Sequence, residues 1–170
     1  VNAFELRDGR LHQVPVRTRE DLEQIKPIWV DLVDPSPEVR YWVGEFFGLE
    51  VPDPDSLTDL EASARFYVED NGEVHLHSDF LLESDEQSQS VAVALVLHKE
   101  VLFSVRQVEL PVFRLQRLRA RTQPGYVTEG KDVLLDLYAA GAEYSADALE
   151  EVYAELEESS KRVLNPRVTD

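Results

Sequence analysis

Short apolar runs separated by turn residues dominate the first hundred residues and predict β-strands. Two of these runs flank Asp8-Gly9-Arg10, and two flank Asp70-Asn71-Gly72, where Asn-Gly is a strong hairpin signal. The runs at 91–97 and 101–105 are apolar on both faces, as is typical of strands in the middle of a sheet covered on both sides. Strands are predicted over residues 2–6, 11–16, 29–33, 65–69, 73–83, 91–97 and 101–105.

Three segments carry apolar residues at spacings of three and four, the period of an amphipathic helix. The first begins after Ser36, with Pro37 in its first turn, and ends at Gly48. The second covers residues 110–121, and the third runs from 131 to 164. At 1.5 Å per residue the third helix is about 50 Å long, which is longer than a compact domain of this size requires.

This order of elements predicts an α/β fold. We expect a three-layer α/β/α sandwich with a mixed parallel and antiparallel sheet, followed by a long acidic C-terminal helix. The sandwich is assigned to residues 1–125. Residues 126–170 are assigned to the long helix, as the truncated start of a helical stalk region.

The composition of the chain excludes several classes of binding partner and metal site. The chain has 170 residues, with 34 acidic against 17 basic side chains and a formal net charge of −17. Nucleic acid is not expected as a partner, since phosphate binding requires clustered Lys and Arg. Cysteine is absent, which excludes disulfides and thiolate metal sites. Methionine is absent even from position 1, so we expect that the chain lacks its initiator or comes from a longer protein. No apolar run approaches the roughly 20 residues of a membrane-spanning helix.

A histidine pair is the first candidate metal site. His75, His77 and Asp79 alternate along one predicted strand and therefore share a face. Imidazole and carboxylate groups bind zinc, so the three residues could serve a zinc-dependent hydrolase. The competing interpretation is a polar sheet face, which short motifs of this kind more often turn out to be.

An acidic run on the long helix is the second candidate. Seven carboxylates fall within residues 143–158, with no Lys or Arg among them. Like charges three or four residues apart destabilise a helix, which suggests that this face lies near cations. Glu150, Glu151 and Glu155 are the candidates for a diffuse attraction of hydrated Mg²⁺, which is held through few direct ligands. The competing interpretation is a solvated helix face.

No catalytic motif is recognisable. The sequence has no phosphate-binding glycine loop, nucleophile elbow or HExxH motif, so the chain is not expected to be an enzyme. The basic stripe of Arg114, Arg117, Arg119 and Arg121 is interpreted as pairing with the abundant acids.

Several segments together resemble the cytoplasmic N-terminal domain of CorA-type magnesium and cobalt transporters, in particular the proteobacterial branch. The resemblance extends over nearly the whole chain in the right order. The segments that carry it are WVDLVDP at 29–35, LTDLEASARFY at 57–67, DNGEVHLH at 70–77, LFSVR at 102–106, ELPVFRLQRLRAR at 109–121 and LLDL at 134–137.

The resemblance implies a cytosolic regulatory domain that senses divalent cations, with Mg²⁺ as both regulatory and transported ion. Co²⁺, Ni²⁺ and Zn²⁺ are alternative ions, and a zinc-transporting relative is the alternative within the superfamily. It implies a homopentamer at the cytoplasmic side of the inner membrane, reached only through C-terminal segments that this chain lacks. The isolated domain is expected to be monomeric or weakly associated. The family's acidic sensor pair aligns with Thr58 and Asp59, and only Asp59 retains the carboxylate.

Overall fold

The computed structural model describes residues 1–59, 66–85 and 87–165, and the side chains of residues 57–59 lie outside that description. The strands are β1 (Asn2–Arg7), β2 (Arg10–Pro15), β3 (Trp29–Val33), β4 (Phe66–Val68), β5 (Val74–Glu83), β6 (Ser88–His98) and β7 (Val101–Arg106). The helices are α1 (Arg19–Glu23), α2 (Pro37–Phe47), α3 (Pro111–Thr122) and α4 (Gly130–Leu164). A 3-10 helix spans Pro54–Asp59.

The strands of the described ranges form one mixed sheet in the order β2-β1-β3-β7-β6-β5-β4. The central pair, β3 and β7, is parallel, with Trp29 beside Leu102 and Val33 beside Arg106. All other neighbours are antiparallel, and β5 and β6 pair over ten residues each. The predicted mixed sheet is therefore confirmed, with the doubly apolar strands β6 and β7 inside it.

Helices cover both faces of the sheet because both faces are apolar. On one face, Val43 of α2 packs on Val30 and Phe103, and Leu22 of α1 packs beside Ala3. On the opposite face, Phe113 of α3 and apolar residues of α4 pack against the largest core cluster. This arrangement is the predicted three-layer α/β/α sandwich.

Helix α4 has an inner half in the core and an outer half in solvent. Its inner half contributes the buried residues Val133, Leu134, Leu137 and Ala140. Every residue from 149 to 164 is exposed. The first residue, Gly130, lies so close to β7 that an added Cβ would be 2.5 Å from the Leu102 nitrogen. The core therefore fixes the start of the helix. The predicted division at residue 125 stays a prediction.

One helix was not predicted. The stretch 19–23 is too short for apolar periodicity, yet Thr18 and Asp21 form a capping box at the start of α1. Arg65, the first residue of the strand predicted over 65–69, lies outside the described residues.

Candidate functional site

An open cleft of about 1000 Å³ lies on the face of the sheet that α1 and α2 cover. One wall is the outer side of α2, and the floor is the connection over residues 48–56. The other wall is the hairpin of β4 and β5, from Tyr67 to His77. The lining includes five carboxylates, those of Glu45, Glu50, Asp53, Glu69 and Glu73.

Two glycines shape the wall that α2 contributes. Gly48 ends the helix with φ +75°, a left-handed conformation that glycine adopts without strain. The Gly44 carbonyl accepts hydrogen bonds from the nitrogens of Gly48 and Leu49. A Cβ at position 44 would lie 2.5 Å from the Leu49 oxygen, so glycine permits this close return of the chain. The connection is thereby held against α2 along the cleft.

Glu73 is the centre of a buried polar cluster on the hairpin side. Its Oε1 lies 2.7 Å from Nε2 of His75, and its Oε2 lies 3.1 Å from Nδ1 of His98. The Asn71 amide donates to Oε2 at 3.1 Å. Glu73, His75 and His98 are all buried, so one carboxylate is shared by one nitrogen of each of two buried imidazoles.

His98 joins the hairpin to α2. Its Nδ1 faces the Glu73 carboxylate, and its Nε2 lies 3.1 Å from the carbonyl oxygen of Phe47. Both partner atoms are oxygens, one on the hairpin side and one on Phe47, the last residue of α2. These two contacts of His98 connect the walls of the cleft.

Tyr67 stacks on His75 with ring centroids 4.5 Å apart and an interplanar angle of 6°. Burial is the main reason that the pKa of the Tyr67 hydroxyl lies above its ordinary value. Three carboxylates raise this pKa further, those of Glu69, Glu73 and Glu50. Glu50 comes from the floor and the other two from the hairpin, so negative charge converges on Tyr67 from two sides.

The predicted histidine pair lies in this cleft. Burial, and then the neighbouring His75, lower the pKa of His77, so this imidazole is neutral at pH 7. His75 is already bound to Glu73, and Asp79 lies further along β5 in an exposed position. Across the described part of the chain, no three His, Asp or Glu side chains are grouped to hold a metal ion. We therefore assign no zinc centre to these residues.

The other predicted residues lie elsewhere. Asp59 ends the 3-10 helix that begins beside the cleft floor, and its side chain is outside the described part. Glu150, Glu151 and Glu155 lie on the outer half of α4 and are exposed. The nearest basic side chains along that helix, Lys161 and Arg162, pair with other acids four residues earlier. The α4 carboxylates do not line the cleft.

Sequence reasoning missed a buried ion pair in the centre of the sheet. Asp31 on β3 accepts from Nε of Arg106 at 3.1 Å and from its Nη2 at 2.6 Å. Ser104 donates to Asp31 at 2.6 Å and accepts from the Trp29 indole at 2.8 Å. The signal was present, since these polar residues interrupt the apolar runs WVDLV and LFSVR. They lie on neighbouring strands and stabilise the fold.

Known proteins were compared with the chain in sequence and in structure. A family profile described as CorA-like Mg²⁺ transporter protein matches residues 25–169. The magnesium transport protein CorA of Pasteurella multocida (strain Pm70) is 40% identical over 166 residues, which is 97% of this chain and 52% of that protein. The protein of the same name from Escherichia coli (strain K12) is 35% identical over 165 residues, covering 96% of this chain and 51% of that protein.

The fold is similar to that of the soluble domain of CorA from Methanocaldococcus jannaschii. The TM-score is 0.70 at 15% identity, over 96% of this chain and 64% of that one. The chain spans about half the length of the curated relatives it matches. Among the helices that the structure describes, none is both long and apolar enough to cross a membrane.

Proposed function

Since the chain belongs to the family of CorA-like Mg²⁺ transporter proteins, we propose that it is the regulatory part of a magnesium transporter and senses divalent cations. The family is one of transporters rather than enzymes, which sets aside the zinc-dependent hydrolase. The sensing role is supported above all by the unscreened acidic face on the outer half of α4. The net charge of −17 adds to that support.

The proposed sensor has two parts. Glu150, Glu151 and Glu155 are exposed on α4 and attract hydrated Mg²⁺ without a tight cage, since Mg²⁺ gives up its waters reluctantly. Asp59 is the proposed direct ligand, carried over from the family's acidic pair. Its partner carboxylate would lie on a following stalk region, to which residues 126–170 form the entry.

The proposed mechanism is electrostatic. In a homopentamer at the cytoplasmic side of the inner membrane, five domains of −17 each repel one another. Mg²⁺ bound between neighbours offsets this repulsion and favours a closed arrangement. When Mg²⁺ falls, the ions dissociate and the population shifts toward conducting arrangements. Mg²⁺ is the proposed transported ion, with Co²⁺, Ni²⁺ or Zn²⁺ as alternatives.

The test uses the full-length protein reconstituted in liposomes, with Mg²⁺ influx followed by a fluorescent indicator. Mg²⁺ on the side of this domain is varied from micromolar to millimolar. For the triple variant Glu150→Gln/Glu151→Gln/Glu155→Gln, we expect the half-inhibiting Mg²⁺ concentration to rise at least about fivefold, the lower end of typical coupling between sites. Asp59→Ala is expected to weaken inhibition further.

The matched control is Asp8→Asn/Glu20→Gln/Glu23→Gln, which removes the same charge from exposed positions away from α4. Its half-inhibiting concentration should match that of the wild type. An equal shift in both triple variants would mean that total charge alone is sensed and would remove the α4 residues from the sensor. Unchanged inhibition in Asp59→Ala would remove Asp59.

A further inference from the structure

We propose that the cleft between α2 and the β4–β5 hairpin binds an extended organic cation of the aliphatic polyamine class. This site is separate from the proposed Mg²⁺ sensor, because it uses neither Asp59 nor the acids of α4. The proposal rests on the charge of the cleft, on buried ring nitrogens without a partner at its inner end and on aromatic faces at its rim.

The carboxylates of the cleft exceed the cations available to them. Arg40 is the basic side chain among the described lining residues, and it pairs with Asp53 at 3.7 Å. Glu45 pairs with Arg19 from α1 at 3.3 Å. Glu50 on the floor has no ion pair within the described ranges. Glu69 on the hairpin has a 3.9 Å contact with His75. The cleft therefore retains negative charge on two opposite sides.

The inner end of the cleft holds a buried imidazole nitrogen without a partner. His75 is 5% exposed and lines the cleft. Its Nε2 is bound to Glu73, and its Nδ1 has no hydrogen-bond partner. Nδ1 is therefore a buried polar atom whose hydrogen-bonding capacity is unused. An unsatisfied buried polar atom of this kind is costly unless a ligand atom reaches it.

His77 repeats this arrangement one step along the same face of β5. Its Nδ1 is also buried without a partner, and its ring is neutral at pH 7. The carboxylates favour a ligand that carries positive charge and several N–H donors, and the two ring nitrogens provide further polar contacts. Protonated amines meet both requirements.

Aromatic side chains at the rim complete the match. Tyr41 on α2 is 72% exposed, and Tyr67 on the hairpin is 40% exposed. An ammonium group is attracted to the face of such rings. Tyr67 stacks on the imidazole of His75, so a ligand that meets the Tyr67 ring lies beside His75.

The geometry favours an organic cation over a metal ion. A metal needs convergent ligands, and within the described ranges no three acidic or histidine side chains converge closely enough. The cleft, at about 1000 Å³, is large enough for a flexible chain of several amines. Charges on opposite sides suit a ligand whose ammonium groups are spaced along a chain.

Spermidine is the probe, and isothermal titration calorimetry of the 170-residue chain at physiological ionic strength is the measurement. We expect saturable binding at one site. Glu50→Gln/Glu69→Gln should weaken it on the order of tenfold, since two partly screened charge contacts are lost. Tyr41→Ala should weaken it by a few fold through loss of one cation–π contact. In ¹³C-tyrosine NMR spectra, the Tyr67 signal should shift on binding.

The matched control is Glu20→Gln/Glu23→Gln, which removes two exposed charges from α1, outside the cleft. Its affinity should stay within twofold of the wild type. A second arm adds MgCl₂ at the spermidine concentration and should leave spermidine bound. Equal weakening in both double variants, displacement by equimolar Mg²⁺, or absence of saturable binding would each overturn the proposal.

Discussion

The buried pair of Asp31 and Arg106 provides a sharp test of what holds the sandwich together. Asp31 is 1% exposed and Arg106 is 0% exposed. The carboxylate accepts two hydrogen bonds from the guanidinium and one from Ser104. Asp31→Ala removes all three acceptor contacts and leaves the guanidinium in the centre of the fold.

The expected cost follows from what remains around Arg106. One bond to the Val108 carbonyl persists at 2.8 Å, and the Phe113 ring lies 4.3 Å from the guanidinium carbon. The nearest other carboxylate oxygen on Arg106 is that of Glu109, at 3.5 Å. Removing one partner of a buried pair typically costs about 3–5 kcal/mol. We expect about 3 kcal/mol, because Glu109 offsets part of the charge.

Urea unfolding followed by circular dichroism measures this cost. The control is Arg7→Ala, which breaks a pair of the same length. Arg7 contacts Glu5 at 2.6 Å, but its side chain is 55% exposed. We expect a loss of less than about 1 kcal/mol there. The two variants thus compare similar contacts in opposite environments.

Two results would show whether burial of the charges is the source of the pair's energy. If Asp31→Ala cost no more than Arg7→Ala, burial of the charge would not be the source of the pair's energy. The double variant Asp31→Leu/Arg106→Met replaces both charges with apolar side chains. It should recover to within about 1 kcal/mol of the wild type, since a buried ion pair and well-packed apolar residues are often equivalent.

Three further outcomes are expected. In urea titrations, Glu73→Gln should lower the free energy of unfolding by about 2 kcal/mol, because two buried histidines lose a charged acceptor. The control Glu69→Gln, at an exposed position, should change it by less than about 0.5 kcal/mol. Burial lowers the pKa of His77 in the folded chain. As the pH falls, the His77 imidazole is therefore protonated in the unfolded chain before it is protonated in the folded chain. Stability should therefore fall as pH drops below about 6.5, with a shallower fall in thermal melts of His77→Gln. In urea titrations, Gly130→Ala should lower the free energy of unfolding by at least about 3 kcal/mol, because its Cβ would meet the backbone of β7. Gly48→Ala, whose Cβ would meet no other atom, should lower it by about 1 kcal/mol.

Local signals in the sequence were sufficient for most of the elements. The turn at Asp8-Gly9 has both residues at positive φ, as the hairpin prediction requires. Gly72 also has positive φ, between strands that pair as expected. Ser36 accepts from the Val39 nitrogen and caps α2. These features depend on neighbours within a few residues, and such neighbours are visible in a sequence.

Contacts between residues that lie far apart in the sequence could not be predicted in this way. The parallel pairing of β3 with β7 joins residues about seventy apart, and no pattern within either strand specifies its partner. The cleft has the same origin, since it combines residues 37–56 with a hairpin at 67–77. His75 and His77 were recognisable on one face of a strand. Tyr67 stacks on His75 from β4, and His98 on β6 shares the Glu73 carboxylate with His75, so this cluster forms only in the folded chain.

Helix α4 is anchored in the core at its start and exposed over its second half, so it can act as a lever. Its inner turns are clamped by Val133, Leu137 and Ala140, while the exposed residues 149–164 extend for about 24 Å at 1.5 Å per residue. A tilt of about 5° at the base of this exposed part would move the far tip through about 2 Å by simple lever geometry on that length. Sub-ångström repacking beneath the helix would thus be magnified at whatever the tip touches.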